Sequence, residues 1–180
     1  MRNGKLVEIL IRSETDCSYH ADVADTIFDK MWRNHPALQA TPLIQPCTKN
    51  GVSNYDDQCV IRLGIAMTGA GISLASYRGA FCWHSHGRKH PLRVEEMKLW
   101  LNSEDAAFCP TYAGISKRKA NGWQNSWHAY AGRRGIVVFR NFWGASNQGD
   151  HVDLWNGSRI AHGSDDYFQR SQEIWFWGIP

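Results

Sequence analysis

From Gln58 to Gly71 the segment QCVIRLGIAMTGAG carries a single charged side chain, Arg62. Val60, Leu63, Gly64 and Met67 recur at helical spacing, and Ile61 and Ile65 widen that stripe. A helix that is apolar around most of its circumference must be covered on nearly every side, so it belongs at the centre of the fold. Asp56 or Asp57 is placed to cap its start, which puts Cys59 in the first turn. A thiol at that position feels the positive end of the helix dipole and unpaired backbone N–H groups, and both favour the thiolate. A buried, inert cysteine is the plain alternative, and the helix alone does not separate the two.

The rest of the chain arranges itself around this helix. ADVADTIFDKMWRNHP reads as an amphipathic helix, with Val23, Ile27 and Met31 beside Ala24 and Phe28, ended by Pro36. Residues 39–54 are rich in Pro, Thr, Asn and Gly and read as a loop. SYRGAFCWHSHGRKHP looks irregular. PLRVEEMKLWLNSED reads as a second amphipathic helix, with Pro91 suited to its start and Val94, Met97 and Leu101 on one face. Residues 110–134 are loop-like. From Gly135 the pattern turns to strands: GIVVF, then HVDLW, then EIWFW at the C-terminus. Helices first and antiparallel strands last give an α+β fold, in which the cysteine-bearing helix packs against an antiparallel sheet.

At 180 residues, with 43% hydrophobic and 21% charged residues, the chain is expected to form one catalytic domain over 1–180. A net charge of +3 is too small to argue for nucleic acid. No apolar run is long enough for a membrane span, and MRNGKLVEILIRSETD has no secretory signal pattern. Membrane insertion and Sec export are therefore not expected. Cys17, Cys47, Cys59, Cys82 and Cys109 are an odd number, so at least one stays unpaired. Nine tryptophans should mostly fill the core, with a few available to line a groove for a sugar or peptide.

A strand-borne histidine downstream of a helix-borne cysteine is the chain order of one class of thiol hydrolase. His151 opens the HVDLW strand after a glycine-containing turn, at a sheet edge that can face a helix start. A third group must hold its imidazole. Asp153 is an i,i+2 neighbour roughly 6–7 Å away along the strand and should reach only indirectly. Asp165 and Asp166 lie in the turn before the terminal strand, so the ranking is Asp165, then Asp166, then Asp153. Asn156 is better suited to making a turn. Gln58 and Asn54 are the nearby amides that could assist the Cys59 N–H in holding an oxyanion. CWHSHGRKH offers Cys82, His84, His86 and His90, but no second ligand pair of matching spacing follows, and Arg88 and Lys89 oppose a cation. A solvated loop is expected there, with no metal and no cofactor.

The motifs QCVIRLGIAMTGAG, EEMKLWL, RRGIVVF, DHVDLWNG, DDYF and IWFW, together with the early NHP, resemble the fourth family of type VI secretion amidase effectors. QCVIRL followed by HVDLWNG, with GIVVF between them, is the most specific part. The resemblance implies a papain-like, NlpC-type cysteine hydrolase that cleaves the peptidoglycan stem peptide between D-glutamate and meso-diaminopimelate. It implies Cys59 as nucleophile, His151 as base and a downstream aspartate, placed on Asp165. It further implies a cognate immunity protein, delivery by the type VI machinery, and action in the periplasm of target cells. A non-catalytic peptidoglycan- or carbohydrate-binding module using surface tryptophans, and a phage-type or housekeeping cell-wall amidase, are the alternatives.

Overall fold

The computed structural model describes residues 26–84, 87, 89–106, 112–117, 127–146 and 148–179. The N-terminal segment, Cys17, His86, Cys109 and much of the 110–134 region lie outside the described residues. Helix α1 spans Ile27–Asn34, and the Thr26 hydroxyl accepts the Asp29 N–H at its start. It stops before Pro36, as proline demands of its predecessor, and His35 becomes its C-cap.

The loop expected over 39–54 contains a small hairpin, β1 (Thr48–Lys49) against β2 (Val52–Ser53). Its turn is Asn50–Gly51, with φ of 52° and 77°, the left-handed pair that Asn-Gly adopts most readily. Helix α2 spans Cys59–Gly69 and is buried along most of its length, as its near-absence of charge requires. Its one charge, Arg62, is buried and donates to the Ile44 carbonyl at 2.6 Å.

Neither Asp56 nor Asp57 caps α2. Gln58 occupies the cap position, and its side chain makes no capping bond. Its amide turns instead to the β1–β2 hairpin. There Oε1 accepts the Cys47 N–H at 2.7 Å, and Nε2 donates to the Cys47 carbonyl at 3.0 Å and the Ser53 hydroxyl at 2.8 Å. The start of α2 is thus fixed by an amide clamped on a neighbouring hairpin.

Helix α3 is Val94–Leu101, with Arg93 at its cap. Pro91 therefore does not open it. Pro91 pairs with Phe81 in an isolated bridge, and Leu92 N–H to Ala80 carbonyl (3.0 Å) and Cys82 N–H to His90 carbonyl (2.8 Å) join 80–82 to 90–92 as the stem of a second hairpin. This hairpin lies against α2 at Gly64, where an added Cβ would meet the Pro91 ring at 2.7 Å. Only glycine permits that approach.

Strands β3 (Tyr112–Lys117), β4 (Gly135–Trp143), β5 (Gly149–Trp155) and β6 (Glu173–Gly178) form an antiparallel sheet ordered β3-β6-β4-β5. The last three match the expected strands. β3 corrects the loop expected over 110–134: YAGISK has a central glycine and no alternation of apolar residues, so its pairing with β6 was not visible locally. Ile136, Val138, Val152, Leu154 and Trp177 turn one face of the sheet to a core shared with α1, α2 and α3. Val137, Phe139, Trp155, Ile174 and Phe176 cover the other face with Phe168 from the short helix α4 (Tyr167–Arg170). Trp155, Trp177 and Trp100 are core residues, whereas Trp83 is 74% exposed.

Candidate active site

Because β5 is the edge of the sheet, part of its backbone has no strand partner. The start of α2 packs on this strand. Cys59, the first residue of α2, is buried there, with the His151 imidazole and the Val152 N–H near enough to favour charge on its sulfur. Burial pushes the thiol pKa up. The His151 hydrogen bond and charge, the Val152 N–H and the more distant Arg62 charge outweigh burial and hold it below the ordinary thiol value.

His151 lies within β5 opposite Phe139 of β4, with the Tyr167 ring edge-on to its imidazole at 5.3 Å between centroids. Its Nε2 is 3.1 Å from the His162 carbonyl and 3.4 Å from Asp153 Oδ2. Both neighbours only accept, so Nε2 carries the proton. The bond to Cys59 then falls to Nδ1. Burial works against an imidazolium, but the hydrogen bonds to Asp153 and Cys59, and the charges of both, raise the His151 pKa well above its usual value.

Asp153 is 1% exposed and surrounded by donors. The Leu154 N–H reaches Oδ1 at 2.7 Å, the His162 N–H reaches Oδ2 at 2.8 Å, and His35 Nε2 lies 3.1 Å from Oδ1. Burial would raise the carboxyl pKa. The hydrogen bond and charge of His151, with His35 close by, depress it far below the carboxylate range, so Asp153 is an anion.

The structure places Cys59 beside His151, and the carboxylate next to His151 is that of Asp153. Asp165 and Asp166 are exposed, in the turn ahead of α4. The expectation for Asp165 rested on the terminal strand lying beside the histidine, but β6 pairs with β3 and β4 while His151 is on β5. The distance argument against Asp153 considered the backbone alone: His151 and Asp153 share a face, and their side chains lean together.

His35, the histidine of the NHP motif, is fully buried beside Asp153. A histidine immediately before a helix-stopping proline was the available signal. Asn156 makes the anticipated turn, its Oδ1 accepting the Ser158 and Arg159 N–H groups. Gln58 and Asn54 both bond Cys47, so neither amide is committed to the space beside Cys59.

The profile of the family described as Tae4, type VI secretion system (T6SS) amidase effector protein 4, matches residues 55–177. A comparison with curated proteins found no match. Among solved structures, the type VI effector Tae4 from Enterobacter cloacae superposes with a TM-score of 0.60 at 16% identity, covering 86% of this chain and 97% of that one. The Tae4–Tai4 effector–immunity complex from Salmonella Typhimurium superposes with a TM-score of 0.53 at 21% identity, covering 70% of this chain and 76% of that one. At these identities the superpositions establish a shared α+β fold. With a profile match extending from the residues just before Cys59 to the last strand, the chain belongs to the amidase effector protein 4 family of the type VI secretion system.

Proposed function

We propose that this protein is a papain-like cysteine amidase that cleaves peptidoglycan stem peptides at the γ-D-glutamyl–meso-diaminopimelate bond. One observation carries the reading: a buried helix-start thiol beside an imidazole that rests on a buried carboxylate. Cys59 thiolate attacks the amide carbonyl, and the imidazolium of His151 protonates the departing amine. His151 then takes a proton from water, whose oxygen displaces the thiolate and releases the acid. Asp153 holds the Nε2–H tautomer throughout and stabilises the imidazolium. The Cys59 N–H, at a helix start without an intrahelical acceptor, is a donor for the oxyanion.

A non-catalytic wall-binding module has no use for a thiol pKa held down or for an anionic carboxylate in the core. Digestion of purified sacculi, followed by mass spectrometry of the muropeptides, distinguishes the two. The protein should produce fragments ending in D-glutamate, and Cys59→Ala should produce none while keeping its melting temperature. Unaltered muropeptides, or scission elsewhere in the stem, would refute the assignment.

The ion pair fixes the sign of a pH effect. Iodoacetamide should modify Cys59 well below the ordinary thiol pKa of about 8.5. In His151→Ala the thiol loses its hydrogen bond and its counter-charge while burial remains, so reactivity should move to higher pH. An alkylation profile unchanged by that substitution would rule out the pairing.

Asp153→Asn should cost about 10⁴-fold in rate, the scale of losing the tautomer-fixing carboxylate, while Asp165→Asn should stay near the parent rate. The alkaline limit of the residual activity should also fall, because the raised pKa of His151 depends on the Asp153 charge. Full activity in Asp153→Asn, or a comparable loss in Asp165→Asn, would reverse the assignment.

The solved relatives from Salmonella and Enterobacter include complexes of Tae4 with the immunity protein Tai4. We extend this to a cognate immunity protein that blocks access to Cys59, and to a periplasmic site of action in the target cell. Fused to a Sec signal, the protein should lyse a Gram-negative host that tolerates it in the cytoplasm, and Cys59→Ala should be harmless in both places. Equal toxicity from the cytoplasm would identify a target other than the wall.

A further inference from the structure

CWHSHGRKH, read in sequence as a loop lacking a second ligand pair, gains a partner in space. The 80–92 hairpin sets Cys82 opposite His90, and the start of the β1–β2 hairpin delivers Cys47 beside them. One ligand atom from each of Cys47, Cys82 and His90 lies within 4.8 Å of the others, and all three residues are buried. Cys82 Sγ and His90 Nδ1 are 3.8 Å apart. Zinc bonds of ordinary length around a tetrahedral centre set a sulfur–nitrogen separation of about 3.6 Å, so little movement is required.

We propose that Cys47, Cys82 and His90 form a binding site for one divalent ion of the zinc class, distinct from the Cys59 centre. Two sulfurs and one imidazole are the donor set that selects zinc over magnesium or calcium. On binding, the two thiols lose their protons to solvent and His90 ligates in its neutral form, so no redox partner is needed. A water molecule completes the tetrahedron.

Outer contacts suited to such an ion are in place. The Asn54 amide donates to Cys47 Sγ at 3.4 Å, as outer groups do to metal-bound thiolates. The backbone of Cys47 is held at both its N–H and its carbonyl by Gln58. His90 also lines a surface cleft with Asn34, Gly64, Ile65 and Thr68. The ion would tie the two hairpins together against Ile61 of α2, one residue's reach from the clamp that sets the helix start. A Cys47–Cys82 disulfide is the competing chemistry, but it would leave His90 without a purpose in the cluster.

Cobalt titration of the full chain carrying Cys17→Ser, Cys59→Ala and Cys109→Ser, under reducing conditions, isolates this cluster from every other thiol. A thiolate-to-cobalt charge-transfer band should saturate at one equivalent, and zinc should displace it. Adding Cys82→Ser or His90→Gln should weaken binding by more than the roughly 10–100-fold that loss of an outer-shell partner costs. Elemental analysis of the unmutated protein, purified without chelator, should find about one zinc per chain. Removing Cys47 risks unfolding its hairpin, so the titration of the triple variant decides the question by itself. Absence of the band at one equivalent, or a band unaffected by both Cys82→Ser and His90→Gln, overturns the proposal. So does the loss of two hydrogens from Cys47 and Cys82 with no metal uptake after reduction. A wall-cleavage result of either sign leaves this readout unchanged, since Cys59 is absent from the titrated protein.

Discussion

An ionised carboxylate in a protein interior costs several kcal/mol unless donors surround it. Asp153 meets that condition with groups from separate parts of the chain: His151 and Leu154 from β5, His35 from the end of α1, and the His162 N–H from the segment after β5. Removing any one leaves part of a buried charge unanswered, so these segments are held in a common register by one side chain. The consequence reaches the chemistry. His151 is oriented because Asp153 is immobile, and Asp153 is immobile because the ends of two distant elements converge on it.

The thiol is tuned by the same convergence. Burial alone would make Cys59 an inert core residue, and most of its neighbours are apolar. Three features oppose burial: the imidazole of His151, an edge-strand N–H from Val152, and the charge of Arg62. The edge position is what makes the second possible, because a central strand would spend that N–H on a neighbouring strand. A vulnerability of sheet edges thus becomes the donor that steadies a thiolate. Water is largely kept out, so each of these interactions is stronger than it would be on the surface.

How much of this could be read from the residues depended on whether the signal was local. The helix at 59–69 was legible because a run with one charge leaves few alternatives, and β4, β5 and β6 because their apolar runs are strong. The expectation of Cys59 beside His151 rested on chain order and the sheet edge. β3 was not legible, since YAGISK acquires its strand character only by pairing with β6. Asp153 was visible and ranked last, because spacing along a backbone was taken for spacing between side-chain tips. His35 was hidden by distance: nothing within 116 positions of sequence relates it to His151. Cys47 was lost in the same way, 35 residues from Cys82 and inside a stretch whose Pro, Asn and Gly content described only its loop character.

The amide of Gln58 shows how closely the reacting end of α2 is bound to the rest of the fold. Placed immediately before the thiol, it would be a natural donor for a developing oxyanion, yet its Oε1 and Nε2 are both consumed by Cys47, Ser53 and Tyr55. Redirecting it would leave buried backbone groups of the hairpin unsatisfied, at about 1–3 kcal/mol for each group. Asn54 is similarly engaged at the Cys47 sulfur. With both amides occupied, the proposed chemistry draws its oxyanion donor from the backbone N–H of Cys59 at the start of α2. The β1–β2 hairpin accordingly acts on the proposed chemistry through position alone. By fixing Gln58 it fixes where α2 begins, and where α2 begins decides whether the Cys59 sulfur meets the imidazole on β5.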